Sequence, residues 1–158
     1  MFIQFYRKGI MEQLNITETQ KKIIEDFEEL QEWDERYALI IKMGRELPLL
    51  GEEYKNEKYK INGCQSQVWI NARFEEGKIW FDADSDAMIV KGLIALLIKV
   101  YSGRTPVEIL STPPDFLKKL GIDNHLSPTR KNGLAAMLKQ IQMYAFAFKT
   151  VADRQNKS

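Results

Sequence analysis

The segment Met88 to Val100 constrains the fold more than any other. Its residues Met88, Ile89, Val90, Leu93, Ile94, Leu96, Leu97, Ile98 and Val100 are apolar and, wound at 3.6 residues per turn, lie nearly all round the axis. Such a helix is stable only if other elements cover it, so the spacing predicts a buried central helix. Ser85 is its expected N-cap, Asp84 and Asp86 lie where negative charge suits the helix dipole, and Ser102-Gly103 is the expected stop. It does not read as a membrane span. The most apolar stretch, Gly92 to Ile98, sits between Lys91 and Lys99 and is far shorter than the about 20 residues that cross a bilayer.

The covering elements can be read on either side. Thr17-Glu18-Thr19-Gln20 has the form of a capping box, followed by Ile23, Ile24, Phe27 and Leu30 at helical spacing. A break near Trp33-Asp34 leads to a second helical run with Tyr37, Ile40, Ile41 and Leu47, which Pro48 stops. Leu49 to Asn56 reads as a loop. Tyr59 and Ile61 read as a short strand, and Gln67 to Phe74 alternates as a longer one, with Val68, Ile70, Ala72 and Phe74 facing inward. Glu76-Gly77 makes a two-residue hairpin turn into Ile79 to Ala83. That register sets Phe74 against Ile79, Ala72 against Phe81 and, outside, Arg73 against Trp80 in a cation–π contact. Trp69 and Trp80 fall on the outer face, open to cover by a helix or a partner.

After the central helix, Thr105-Pro106 and Thr112-Pro113-Pro114 start short helices, the second closed by Gly121. Ser127-Pro128 opens a long one whose Leu134, Met137, Leu138, Ile141, Ala145, Phe148 and Ala152 form a core-facing stripe. The expected fold class is therefore α+β, a small antiparallel sheet of three strands packed against several helices. Residues 1–16 form a peripheral arm, within which Met1 to Ile10 shows no clear periodicity. Residues 17–153 form one domain and residues 154–158 fray.

Composition narrows the chemistry. A chain of 158 residues closes a core without disulfides or metals. The formal charge of +1 gives no overall field for nucleic acid or an anionic membrane. One cysteine, Cys64, and one histidine, His125, cannot supply a structural zinc site or hold an iron–sulfur cluster unaided. No Walker-type or GxGxxG loop is present, and nothing in Met1 to Ile10 reads as a secretory signal. A reducing cytoplasm is the expected compartment, where a free thiol stays available. No resident cofactor or metal is expected.

Cys64 stands in Ile61-Asn62-Gly63-Cys64-Gln65-Ser66-Gln67-Val68-Trp69. Asn62-Gly63 tolerates positive φ and marks a turn, so the thiol sits on a loop tip leading into a strand. A lone cysteine is either a small buried hydrophobe or a reactive group. Gly63, Gln65 and Ser66 are poor core material and point to the second. Gly63 supplies a backbone conformation or a freedom of movement that a Cβ would block, and Gln65 and Ser66 can set the loop or orient the sulfur.

The cysteine segment resembles the active-cysteine motif of the SufE family of sulfur acceptors. Three further segments resemble that family in the same order: Trp33-Asp34-Glu35-Arg36-Tyr37 with Gly44-Arg45-Glu46-Leu47-Pro48; Ala83 to Leu93; and His125-Leu126-Ser127-Pro128-Thr129-Arg130-Lys131-Asn132-Gly133-Leu134. The likeness runs from about Gln20 to Ala147; the Met1–Ile10 arm is not part of the pattern. It implies a fold like the IscU-type scaffold. It also implies a sulfur acceptor that takes persulfide sulfur onto Cys64 from a pyridoxal-phosphate cysteine desulfurase (SufS- or CsdA-like), stimulates that enzyme, and passes sulfur to an iron–sulfur scaffold. The chain is then a carrier and activator without independent turnover, the pyridoxal phosphate belonging to its partner. The alternative is a docking or regulatory module of the desulfurase that carries no sulfur. A peroxide-reactive thiol is a weaker third, because no Arg, Lys or His lies within the motif.

Three other residues have two readings each. Arg130 is either a surface ion-pair former or a contact to the partner, thiolate or persulfide. His125 is either a capping or packing residue or else a proton relay or partner contact. Asp84 is a helix cap first, with influence on loop mobility as its second role.

Overall fold

A computed structural model describes residues 14–156 of the chain, so the Met1–Ile10 arm lies outside the described residues. The fold is α+β. Helices α1 (Ile16–Glu28) and α2 (Trp33–Arg45) are followed by a hairpin of β1 (Val68–Glu75) and β2 (Lys78–Ser85). Then come α3 (Met88–Tyr101), α4 (Pro106–Ser111), α5 (Asp115–Lys119) and α6 (Pro128–Asn156). Helix α6 thus continues past Asp153, where fraying is expected from sequence.

Helix α3 is the buried axis of the molecule. Every residue from Gly92 to Tyr101 is buried, with Leu93, Ile94, Leu96, Leu97 and Val100 wholly so. Helix α2 lies along it at two glycines. A Cβ on Gly92 would fall 2.2 Å from the Ile40 carbonyl oxygen, and one on Gly44 2.8 Å from the Gly92 nitrogen. The inner face of the hairpin, Val68, Ile70, Ile79, Phe81 and Ala83, joins the same core. Helix α6 packs on that same inner face, with Phe148 stacked on Phe74 at 5.1 Å and Tyr144 tilted against Phe81.

The hairpin register is the expected one: Phe74 pairs with Ile79, Ala72 with Phe81 and Arg73 with Trp80. Glu76 (φ 53°) and Gly77 (φ 78°) make the tight turn. On the outer face the Arg73 guanidinium pairs with Glu75 at 3.0 Å and Asp82 at 3.3 Å. The sheet, however, has two strands and not three. The Tyr59–Ile61 segment makes a single bridge, Lys60 to Trp69, through Ile61 N–H to the Val68 oxygen and Ile70 N–H to the Tyr59 oxygen. An Asn56–Tyr59 turn just before it and the Gly63 turn just after leave no length for a ladder.

Two helix starts also differ from expectation. Asn15, not Thr17, caps α1: its side chain accepts from Glu18 N–H at 2.7 Å and donates to the Glu18 carboxylate at 2.6 Å. Asparagine is the stronger cap, and starting there puts Ile16, Thr19, Ile23 and Phe27 on the buried face. Nor does Ser85 cap α3, whose N-cap is Ala87 with no side-chain bond. Ser85 still belongs to β2, where it pairs with Val68, and its hydroxyl donates to the Gln67 oxygen. Asp84 is likewise a strand residue and not a helix cap. The Thr105 capping box on α4 is present as a reciprocal pair with Glu108.

One buried group runs against composition rules. Lys99, read from sequence as a flank of the apolar run, is 0% exposed. Burial pulls its ammonium down to about 7, against the raising influence of the Asp26 and Glu46 carboxylates and with Lys22 adding repulsion. An unfolded lysine titrates at ~10.4. Between about pH 7 and that value the unfolded chain binds more protons than the folded one, so this residue's contribution makes stability rise with pH. Lys99→Met is expected to flatten that slope, as read by urea unfolding across the pH range. Gly92→Ala is expected to cost at least about 3 kcal/mol, the upper end for overpacking, because the obstacle is helix backbone and cannot rotate away.

Candidate functional site

Cys64 sits between a turn and a strand, as its flanks imply. Gly63 holds φ 93°, a left-handed conformation, and a Cβ there would also meet the Ala136 methyl at 3.3 Å. The turn therefore needs glycine twice over, for its backbone and for the approach of α6. From it the Cys64 side chain points toward the first turns of α6, where its Sγ donates to the Gly133 oxygen at 3.6 Å. The thiol is half-buried, and that burial pushes its pKa above the ordinary thiol value.

The sulfur lines a cavity of about 530 Å³. Gln65 and Ser66 continue the wall from Cys64. Ala87 to Val90 and Leu93 supply a second side from the start of α3, and Ser127, Thr129, Arg130, Gly133 and Met137 a third from the start of α6. Two helix N-termini thus open on one cavity. Helix N-termini carry partial positive charge and unsatisfied N–H groups, and Arg130 adds a full charge. The sulfur is partly sheltered by apolar side chains, and the helix-start side of the cavity favours an anion.

The structure brings together Cys64, Gln65, Ser66 and Arg130, with Gly63 at the turn behind them. Arg130 is exposed, and its N–H donates to the Ser127 hydroxyl at 3.3 Å. His125 and Asp84 are not among the cavity's lining residues. The His125 ring stacks on Trp33 at 3.6 Å, its Nδ1 lies 3.0 Å from the Gly121 oxygen, and its carbonyl accepts from the Tyr37 hydroxyl. It fastens the stretch before α6 onto α2. Asp84, at the end of β2, holds Lys55 at 3.0 Å, Lys91 at 3.2 Å and Ser85 N–H at 2.8 Å. Burial acts to raise its pKa, but Lys55, Ser85 N–H and Lys91 together outweigh it and leave the carboxyl below its usual range. Asp84 ties the loop before β1, the end of the hairpin and the start of α3 into one frame beside the cavity.

Sequence reasoning missed Gly133, whose oxygen accepts from the thiol and whose missing side chain leaves room for it: a Cβ there would lie 3.6 Å from the sulfur. A signal was present. A glycine inside a helix costs about 1 kcal/mol relative to alanine, so a buried one implies close approach by something else. Met137 and Leu93, read only as core, also line the cavity.

The fold and the site together define a small α+β protein with one sheltered thiol, displayed on a glycine turn between two helix starts. The chain matches the family model described as SufE: Fe-S metabolism associated domain, over residues 21–145. It belongs to that family. It is 42% identical over 127 residues to an uncharacterized SufE-like protein of Synechocystis, covering 80% of each chain. With the chloroplastic/mitochondrial SufE-like protein 1 of Arabidopsis thaliana it shares 40% over 139 residues, 87% of this chain but 38% of that longer protein. An uncharacterized SufE-like protein of Rhizobium meliloti is 37% identical over 129 residues, 78% of this chain and 92% of that one. The fold is similar to the solution structure of a hypothetical protein from Thermus thermophilus, with a TM-score of 0.70 at 25% identity over 84% of this chain and 96% of that one. No helix among the described residues is long and apolar enough to cross a membrane.

The raised thiol pKa has a direct consequence. Alkylation of Cys64 at pH 7 is expected to run several-fold slower than that of free cysteine, and its rate to keep rising above the pH at which an ordinary thiol has levelled off. Full unfolding in guanidinium should abolish both differences. Equal rates for folded and unfolded protein at pH 7 would contradict the sheltered placement.

Proposed function

We propose that this protein accepts sulfur on Cys64 from the persulfide of a cysteine desulfurase and delivers it to an iron–sulfur scaffold. The observation that carries the reading is the placement of the thiol: at rest in a largely apolar cavity, on a turn whose flanking residues hold it loosely. Among the described residues, the one side-chain hydrogen bond made by residues 62–66 is the long contact from Cys64 Sγ to Gly133. A sulfur acceptor needs such a thiol, sheltered from oxidants alone and able to reach into another protein's site.

The transfer balances without any redox agent. The Cys64 thiolate attacks the terminal sulfur of the donor's persulfide, a new S–S bond forms at Cys64, the donor's S–S bond breaks, and the donor's thiolate leaves. The proton lost by Cys64 is taken up by that thiolate or by solvent. A persulfide is a stronger acid than the thiol it replaces, so the loaded protein carries an anion that the empty one does not. Back in the cavity, that anion meets Arg130 and the starts of α3 and α6, each of which stabilises negative charge. Arg130 then favours the loaded state more than the resting thiol. Gln65 and Ser66 set the loop. His125 and Asp84 act through structure, one pinning the approach to α6 and the other framing the cavity. The pyridoxal phosphate that generates the persulfide belongs to the partner, and this chain is a carrier and activator, at work in a reducing compartment such as the cytoplasm.

Incubation with a competent desulfurase and cysteine is expected to add the mass of one or more sulfur atoms at Cys64, read by intact-mass analysis. Cys64→Ser should accept none and should lose stimulation of the desulfurase, while unfolding within about 1 kcal/mol of the parent protein because so small a change is made at a half-buried side chain. Stimulation fully retained by Cys64→Ser would make the protein a docking module instead. Arg130→Gln is expected to shorten the lifetime of the loaded state several-fold and leave resting-thiol alkylation unchanged.

A further inference from the structure

We propose that Met88 is the apolar anchor by which the cysteine desulfurase docks over the thiol cavity, and that the desulfurase presents an apolar socket flanked by carboxylates around its persulfide. The inference rests on the reading of Cys64 as a sulfur acceptor and adds to it the chemistry of the surface that meets the thiol. Met88, the first residue of α3, is 60% exposed, whereas Val90 and every residue from Gly92 to Tyr101 are buried. Single exposed apolar side chains are ordinary on a protein surface, and Leu49, Val107, Leu110, Met143, Phe146 and Val151 are others here. Met88 differs in its place: among the described residues it is the one of these that lines the cavity holding Cys64.

The same corner is incomplete in a second way. The N-cap of α3 is Ala87, so the first N–H groups of the helix lack the side-chain oxygen that Ser, Asp or Asn provides. Asp86, one residue earlier, is committed to the Gln67 N–H at 3.0 Å. On the α6 side of the cavity Arg130 is exposed and forms no ion pair among the described residues. The rim thus offers one apolar side chain, a set of N–H groups and a guanidinium, and its complement is an apolar socket with carboxylates beside it. The transfer itself requires contact at this rim. For a persulfide's terminal sulfur to come within bonding distance of Cys64 Sγ, the donor's surface must close over the cavity that Met88 borders. The start of α3 is held without help from the cysteine loop, because Lys91, three residues on, pairs with Asp84 at 3.2 Å. An unbranched thioether also adapts to an imperfect pocket, which suits a contact that forms and releases with each transfer.

Binding measurements separate this inference from the sulfur reading. In a Cys64→Ser background, which transfers no sulfur, affinity for the cysteine desulfurase of the same organism is read by titration calorimetry. Met88→Gln, close in length but polar, is expected to weaken Kd about fivefold or more, about 1 kcal/mol. Met88→Leu is expected to stay within about twofold of methionine. Met88→Glu should weaken binding about threefold beyond Met88→Gln, because it sets a carboxylate against the donor's own. Equal affinity of Met88→Gln and its Cys64→Ser parent overturns the anchor, as does the absence of any binding by that parent. Equal affinity of Met88→Glu and Met88→Gln overturns the acidic surface. Sulfur loading of the unsubstituted protein, read by intact mass, reports on the sulfur reading alone. Loading together with an unchanged Kd for Met88→Gln sinks this inference and leaves that reading standing.

Discussion

The burial of α3 on every side is the constraint from which the rest of the structure follows. Leu93, Ile94, Leu96, Leu97 and Val100 are wholly buried, each worth up to about 1.5–3 kcal/mol relative to exposure, and no single neighbouring element could cover them all. Helix α2 approaches close enough to require Gly44 and Gly92, the hairpin covers a second side, and α6 and α1 complete the enclosure. Both ends of α3 are also tied. Its last turn is fixed to β2 through Phe81 N–H to the Ser102 hydroxyl and Gly103 N–H to the Ile79 oxygen. Its first turn is held by Lys91 to Asp84. The enclosure is tight enough to retain Lys99, a residue that the core holds at a cost.

A rigid helix start gives the thiol a fixed wall to rest against, and the contrast between wall and loop sets its chemistry. In the resting position burial raises the Cys64 pKa, and each unit of such a shift disfavours the thiolate by about 1.4 kcal/mol. The sheltered sulfur is thus a poor nucleophile where it lies. In the proposed transfer it would become a better one on leaving the cavity, the same movement that would present it to a partner. On that proposal, protection and reactivity would be coupled through a single displacement. His125, the residue that could have served as a base, is occupied with Trp33 and Gly121.

Much of this was legible in the residues. The all-round apolar run pointed to the buried helix, two-residue alternation to the hairpin with its register, and Asn62-Gly63 put Cys64 on a turn. What was illegible depended on distances between segments far apart in sequence. Nothing local says that Tyr59–Ile61 has room for only one bridge, because that is set by the turns on either side. Ser85 looks like a cap until its pairing with Val68 is known, since pairing keeps it in the strand and commits its hydroxyl to Gln67. Lys99 looks like a solvated flank because the helical wheel cannot show that α1 and the end of α2 close over it. The cavity was half visible: Cys64, Gln65, Ser66 and Arg130 carry chemical character, whereas Gly133, Leu93 and Met137 do not.

Asp84 shows how the frame around the cysteine loop is held. Its carboxylate is only 14% exposed and binds two lysines from different segments, so it is a partly buried ionic junction and not a surface pair. Pairs of that kind contribute more to fixing one arrangement than to net stability, because desolvation offsets much of the attraction. Here the arrangement fixed is the meeting of the Lys55 loop, the end of β2 and the start of α3, immediately beside the cavity. The Cys64 loop leaves from the strand that pairs with this corner, Trp69 lying opposite Asp84. A loop can swing without disturbing its walls only if the strand at its base and the helix at its side are anchored independently of it. Lys55, Asp84 and Lys91 supply that anchor, and none of the three uses the cysteine loop to do so.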